Sequence, residues 1–168
     1  MKREKAIEIA TYIIVPLAIF VVSPLLARWL DMFYIRSHPI LTTSPALLVF
    51  GIVVALLGFG LAVWTVYLFK TIGEGTPNPK LPPKRLVTSG PYAIVRNPMA
   101  LGGFYILMGE SALYGSPSLL GIAFLFLIIL YCYVKWSEEL VLMRRFGKPY
   151  QKYVRRVPRF FPNPFRRN

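Results

Sequence analysis

The sequence predicts an all-α integral membrane protein with about four transmembrane helices. Of the 168 residues, 55% are hydrophobic, which is too apolar for an ordinary soluble domain of this length. The apolar residues form runs close to the roughly 20 residues that a helix needs to cross a bilayer. The positive charges are concentrated in three of the segments outside these runs. We therefore expect one membrane domain that covers residues 1–168.

The first two spans are predicted from long apolar runs. The first run covers about 7–30 and is longer than the apolar core of a signal peptide, so we expect a true span. It contains Pro16 and Pro24, and proline is a common cause of helix kinks. The second run covers about 45–69 and is followed by a lysine.

The last two spans are predicted to form a short helical hairpin. The runs at about 99–114 and 118–134 are separated only by a turn sequence, Gly-Ser-Pro, at 115–117. Glu110 lies in the first of these runs. A carboxyl group at membrane depth is costly, which indicates a side chain that faces protein or water and has a function. The same residue is also close to the end of the run, where a position at the membrane surface would explain it.

The positive charge indicates a topology with both termini in the cytoplasm. The chain has 20 Lys and Arg against seven Asp and Glu. All but Arg28 and Arg36 lie in the N-terminal segment, between the second and third spans, or after the fourth span. Four spans place these three segments on one side, as the positive-inside rule requires. We expect a multi-pass protein in the plasma membrane of a prokaryote, with anionic lipids rather than nucleic acid as partners of the charge.

Two segments on the cytoplasmic side carry more than connecting sequence. The first, from Gly73 to Asn97, is rich in Pro and Gly and either folds over the cytoplasmic face or is a flexible linker. In the second, the fourth helix is predicted to continue to about Phe146, where Gly147 and Pro149 form a stop signal. One Cys and one His in the whole chain exclude a disulfide within it and give no metal site.

Two glutamates lie on this helical extension. Glu138 and Glu139 are three and four residues after Lys135, so an intrahelical ion pair explains them without any function. Asn97 and Pro98 predict the start of the third helix, as N-cap and first helical residue. The free N–H groups of such a helix start attract a carboxylate or a phosphate.

Two motifs make the chain similar to a known family. The stretches "LVTSGPYAIVRNPMALG" and "EELVLMRRFGKPYQKYVRRVPRFFP" resemble the isoprenylcysteine carboxyl methyltransferase family, which includes related phospholipid methyltransferases. The resemblance implies a methyltransferase that uses S-adenosylmethionine at the cytoplasmic face, within residues 73–168. It also implies a lipid-like or small hydrophobic acceptor.

The resemblance assigns roles to particular positions. The implied cofactor-binding residues are Lys84, Arg85, Leu86, Val87, Tyr92, Asn97, Pro98, Met99, Ala100, Gly102, Glu138 and Glu139. The implied catalytic residues are Glu138, Lys135 and Arg96. The sequence departs from the family pattern at three positions, where Asn97 replaces a histidine, Ala100 a tyrosine and Val134 an arginine.

Two other functions stay open at this stage. Sterol reductases have a similar C-terminal part and use NADPH, but they are usually longer and have more spans. A membrane protein that keeps the fold without catalysis is the other alternative. The acceptor, its nucleophilic atom and the oligomeric state do not follow from the sequence.

Overall fold

The computed structural model describes residues 9, 12–34, 44–76 and 83–161, and every regular element in these ranges is helical. The predicted all-α class is therefore confirmed for the described part of the chain. The α-helices are α1 (Ser23–Tyr34), α2 (Pro45–Thr71), α3 (Pro98–Tyr114), α4 (Pro117–Tyr133), α5 (Glu139–Phe146) and α6 (Lys148–Arg156). Two π-helical segments, Ala18–Val22 and Val134–Glu138, lead into α1 and α5, and a 3₁₀ turn covers Gly90–Ala93.

Within the described ranges, three helices are long and apolar enough to cross a membrane. They are Tyr12–Phe33, Pro45–Thr71 and Pro117–Phe146, and they fit the first, second and fourth predicted spans. The third predicted span forms α3, which has 17 residues and is therefore only about 25 Å long. A bilayer core is about 30 Å thick, so a fourth crossing stays a prediction.

Helix α3 lies at the centre of the packing. Eleven of its 17 residues are buried, and they include Phe104 and Leu107, which pack on Leu119 of α4 and Ala27 of α1. The other long helices expose large apolar side chains instead, among them Leu57 of α2. An apolar outer surface around a buried helix fits an integral membrane protein.

Helices α2 and α3 approach each other through pairs of glycines. A Cβ atom on Gly58 would lie 2.6 Å from the carbonyl oxygen of Gly102, and one on Gly51 would lie 2.8 Å from that of Gly109. Real side chains never make such contacts, so these positions need glycine. Small residues at matching intervals are the usual way in which helices pack closely in membranes. The structure thus gives Gly102 a helix-packing role.

The other end of α3 is tied to α1 and α4. Gly115 adopts the left-handed conformation with a φ of 58°, and Ser116 caps α4 by accepting a hydrogen bond from the Leu119 N–H. The predicted tight hairpin is therefore confirmed. The buried carboxylate of Asp31 in α1 accepts hydrogen bonds from the Ser116 hydroxyl and the Ser118 N–H. This contact was not predicted from the sequence.

The first helix agrees with its sequence expectation, whereas a function of Glu110 stays a prediction. The helix leaves α geometry at Ala18–Val22, between Pro16 and Pro24, where we expected an irregularity. Glu110 is 7% exposed and faces the protein, and its Oε2 has no hydrogen-bond partner within the described ranges.

The chain beyond α4 forms a helical extension. The fourth helix continues through Val134–Glu138 into α5 and ends at Phe146, as predicted, because Gly147 has a φ of 56°. The next helix, α6, was missed, since Pro149 was interpreted only as a stop signal. Pro149 in fact lies in the first turn of α6, where proline is well tolerated.

The described part of the segment before α3 is packed. Val87 and Tyr92 are buried against Leu68 near the end of α2, and Leu86 packs beside Tyr150 of α6. The backbone N–H of Lys84 donates to the carbonyl of Gly73 over 2.7 Å. Residues 83–97 thus fold over the end of the helix bundle and do not form a flexible linker, which was the other alternative. Residues 77–82 lie outside the described ranges.

Candidate active site

A cavity of about 260 Å³ lies where α2 ends and α3 begins, enclosed by α5, α6 and residues 83–97. Its charged lining residues are Arg85, Arg96 and Glu138, and its uncharged polar ones are Thr76, Asn97 and Ser137. The remaining lining residues are Phe69, Pro83, Leu86, Val87, Tyr92, Tyr133, Val134, Val141, Leu142, Phe146, Tyr150 and Tyr153. A mostly apolar cavity with a few converging charged groups is typical of a small-molecule site.

The π-helical segment Val134–Glu138 separates the roles of two neighbouring glutamates. Glu138 lines the cavity, whereas Glu139 accepts hydrogen bonds from Arg96 and Arg159. Short π-helical segments inside α-helices are rare and are often found at functional sites. The expected ion pair with Lys135 is not present for Glu139. The Lys135 ammonium instead lies 5.6 Å from the centre of the Trp136 ring.

Glu139 is the centre of a partly buried ion network. Nη1 of Arg96 lies 2.7 Å from its Oε1, and Nε and Nη2 of Arg159 lie 2.6 and 2.9 Å from its two oxygens. The Arg96 side chain is 6% exposed and that of Glu139 is 13% exposed. Removal of one partner of such a pair destabilises the protein strongly, because it leaves a buried charge without compensation.

The C-terminal segment is bonded to the residues that start α3. The backbone N–H groups of Arg96 and Asn97 donate to the carbonyls of Pro158 and Arg159, over 2.8 and 3.1 Å. The side-chain amide of Asn97 also donates to the Arg159 carbonyl, over 3.3 Å. Asn97 does occupy the N-cap position of α3, but its side chain makes no capping bond. The expected side-chain cap was wrong because the amide is used to hold the C-terminal segment.

Three tyrosines form one wall of the cavity. The Tyr153 hydroxyl donates to the Tyr92 carbonyl over 2.7 Å and so joins α6 to the 3₁₀ turn. Burial raises the pKa of Tyr92 and of Tyr153, and raises the pKa of Tyr150 to about 12 although the Arg96 guanidinium beside it acts in the opposite direction. The three hydroxyls therefore stay protonated at neutral pH and remain hydrogen-bond donors.

The cavity brings together seven of the predicted site residues, which are Arg85, Leu86, Val87, Tyr92, Arg96, Asn97 and Glu138. The other seven do not line it. They are Lys84, Pro98, Met99, Ala100, Gly102, Lys135 and Glu139. The assignment of all these residues to a cofactor or to catalysis stays a prediction.

Several lining residues were not predicted. Tyr150 and Tyr153 are among them, although both belong to the quoted stretch "EELVLMRRFGKPYQKYVRRVPRFFP". Their three-residue spacing places both on one face of α6, so they were missed together with that helix. No such signal pointed to Phe69, Tyr133 or Ser137, which come from α2, from the end of α4 and from the segment that follows it.

The lining has the chemistry that S-adenosylmethionine needs. Glu138 offers a carboxylate to its ammonium and sulfonium groups, and Arg85 and Arg96 offer guanidinium groups to its carboxylate. Aromatic rings such as Tyr92 offer a wall for adenine. The volume is just under the roughly 300–1,000 Å³ of ordinary ligand sites. Thr76 and Pro83, which flank residues 77–82, both belong to the lining.

Comparisons with known proteins identify the family of the chain. The sequence model of the phospholipid methyltransferase family matches residues 46–149, which is more than half of the chain. A nickel-cobalt-cadmium resistance protein, NccN of Alcaligenes xylosoxydans xylosoxydans, is 38% identical over 77 residues. That match covers 46% of this chain and 36% of the relative, so the chain spans about a third of that protein's length. The search of solved structures gave no match. On the family match, the chain belongs to the phospholipid methyltransferase family.

Proposed function

We propose that this protein is an integral-membrane methyltransferase that uses S-adenosylmethionine to methylate a lipid-like or small hydrophobic acceptor. The observation that carries the proposal is the cavity lined by Glu138, Arg96 and Tyr92, because it joins the two motifs of the family resemblance in one site. Family membership supports the reaction type.

The side chains of the cavity act mainly by positioning. When bound, S-adenosylmethionine would supply an electrophilic methyl group to a lone pair of the acceptor, the electron pair of the broken carbon–sulfur bond would stay on sulfur, and any proton on the acceptor atom would pass to solvent. Glu138 would hold the cationic part of the cofactor, and Arg85 would hold its carboxylate. The hydrogen bond from Tyr153 to the Tyr92 carbonyl fixes the aromatic wall. Orientation of this kind is the main requirement for an in-line displacement.

The proposal includes a topology. Four spans, of which α3 is a short one packed inside the others, place both termini in the cytoplasm and give the cavity access from that side. The concentration of Lys and Arg outside the spans supports this arrangement. Labelling of single cysteines, introduced at residue 2 and in place of the exposed Tyr114 in a Cys132→Ala background, tests it in intact cells. We expect a membrane-impermeant maleimide to reach only the cysteine at residue 114.

Calorimetry with S-adenosylhomocysteine tests the cofactor. We expect the purified protein to bind this product, and Glu138→Gln to weaken binding about ten-fold because a charge-assisted bond is lost. Arg144→Gln is the control, since Arg144 is an exposed residue of α5 outside the cavity. Absence of binding to the wild-type protein would overturn the assignment of the cofactor.

The reaction itself is tested with a labelled methyl group. Membranes that contain the protein are incubated with methyl-labelled S-adenosylmethionine and a total lipid extract, and the extracted lipids are separated. We expect label in a lipid fraction with the wild-type protein and a loss of most of it with Glu138→Gln. If the label were found only in water-soluble products, the proposed lipid-like acceptor would be wrong and a small polar acceptor would take its place.

A further inference from the structure

A second concavity lies beside the ion network. This groove, of about 360 Å³, runs between the end of α4, the end of α6 and residues 158–161, and we refer to it as the outer groove. Its aromatic lining residues are Tyr131, Phe160 and Phe161, and its charged ones are Arg96 and Arg159. The lining contains no carboxylate, in contrast to that of the cavity, which contains Glu138.

The side chain of Arg96 is shared by the cavity and the outer groove. It lines both of them and is only 6% exposed. Nη1 of Arg96 donates a hydrogen bond to Glu139. Nε of Arg96 is buried and has no acceptor among the described residues. A buried guanidinium N–H without a partner is costly, and an anionic or strongly accepting ligand would satisfy it.

The charges around the groove also favour an anion. Arg96 and Arg159 carry two positive charges and share the single carboxylate of Glu139, so the network has a net charge of about +1. The only charged side chains in the described lining of the groove are those of Arg96 and Arg159, whose positive charge the nearby Glu139 carboxylate partly neutralises. Arg159 is held by Glu139 and by the Tyr131 ring, whose centre is 5.8 Å from its guanidinium carbon. The cationic wall is therefore fixed in place before a ligand arrives.

The groove opens next to an apolar surface. Tyr131 belongs to a helix long enough to cross a membrane, and Ile128 and Ile129 in the preceding turn are exposed. Phe161, at the other side of the groove, is 62% exposed. Aromatic rings and Arg at the end of an apolar helix are typical of the membrane–water boundary. An amphiphile with its chains along α4 would bring its headgroup to Arg159.

We propose that the outer groove binds the phosphate of a phospholipid headgroup, with Arg159 and Arg96 as its ligands. The site holds the acceptor at the wall of the cavity, and this role rests on the proposed function. Guanidinium groups bind phosphate oxygens through pairs of parallel hydrogen bonds, which suits two neighbouring arginines.

Calorimetry on the purified full chain in detergent tests the site without any turnover. The probes are dihexanoyl phosphatidylglycerol, dihexanoylglycerol, octanoate and inorganic phosphate. We expect the first to bind most tightly, because it alone has both the phosphate and the chains. Arg159→Gln is expected to weaken its binding about ten-fold. Phe161→Glu is expected to weaken it as well while leaving the ion network intact.

Arg156→Gln is the matched control, because Arg156 is an exposed arginine of α6 that does not line the groove. Equal losses with Arg156→Gln and Arg159→Gln would overturn the proposal in favour of general attraction to a basic surface. Tighter binding of octanoate would also overturn it and assign a carboxylate headgroup.

S-adenosylhomocysteine affinity is measured on the same variants. We expect Phe161→Glu to leave it unchanged, since Phe161 is outside the cavity. A protein that binds the phospholipid but not S-adenosylhomocysteine would refute the proposed function and leave the headgroup site standing. A protein that binds S-adenosylhomocysteine but not the phospholipid would refute only the headgroup site.

Discussion

Arg96 and Glu139 are 43 positions apart and form an ion pair of 2.7 Å between the start of α3 and the start of α5. Arg159 closes the same network from the C-terminal segment. Three separate parts of the chain are thus fixed at one carboxylate, and its partner Arg96 lines both the cavity and the outer groove.

Glu139→Gln is expected to lower the free energy of unfolding by about 3 kcal/mol, because it leaves the buried Arg96 guanidinium without a counter-charge. Denaturant or thermal unfolding in detergent measures the effect. Glu74→Gln is the matched control, since Glu74 forms an exposed pair with Arg85 and such pairs contribute about 0–1 kcal/mol. Similar effects of the two substitutions would contradict a special role for the network.

Gly58→Ala is expected to destabilise the protein by about 1–3 kcal/mol, because the added methyl group meets the Gly102 carbonyl and forces α2 away from α3. Gly60→Ala tests the same exchange in the same helix, where a Cβ atom has no neighbour within 4 Å. There we expect no loss, and a gain of up to about 1 kcal/mol from better helix propensity. Melting temperatures in one detergent decide between these outcomes.

Tyr153→Phe removes the hydrogen bond to the Tyr92 carbonyl and leaves that carbonyl unsatisfied inside the protein. We expect a loss of about 1–2 kcal/mol of stability and weaker binding of S-adenosylhomocysteine, since the aromatic wall loses its anchor. Tyr67→Phe, at an exposed tyrosine of α2, is the control and should change neither quantity. Weaker stability with unchanged affinity would limit Tyr153 to a structural role.

Asp31→Ala removes the acceptor of the Ser116 hydroxyl and of the Ser118 N–H, at the point where α1 meets the start of α4. We expect a loss of about 1–3 kcal/mol, because two buried donors lose their partner. Asp31→Asn keeps one acceptor oxygen and should therefore lower the stability less than Asp31→Ala does. S-adenosylhomocysteine affinity of the folded variants should not change, and a selective loss of affinity would place the effect of Asp31 in the site.

The chemistry of the site was readable in the sequence only in part. Motif positions such as Glu138 and Tyr92 were predicted and do line one cavity. The different contacts of Glu138 and Glu139 were not predictable, because they depend on where folding places Arg96 and Arg159, which come from distant parts of the chain. The position of Asn97 predicted that its side chain caps α3. The side chain instead donates a hydrogen bond to the carbonyl of Arg159, more than 60 residues away.

The sequence by itself determined the all-α class, the apolar runs, the helix stop at Gly147 and the two motifs of the family, because each depends on local composition or spacing. The tertiary structure decided which residues meet. It placed α3 inside the other helices through Gly58 and Gly102, since close backbone packing depends on the partner helix. It also placed Glu139 between Arg96 and Arg159, because a buried charge takes the partners that folding brings to it from distant parts of the chain.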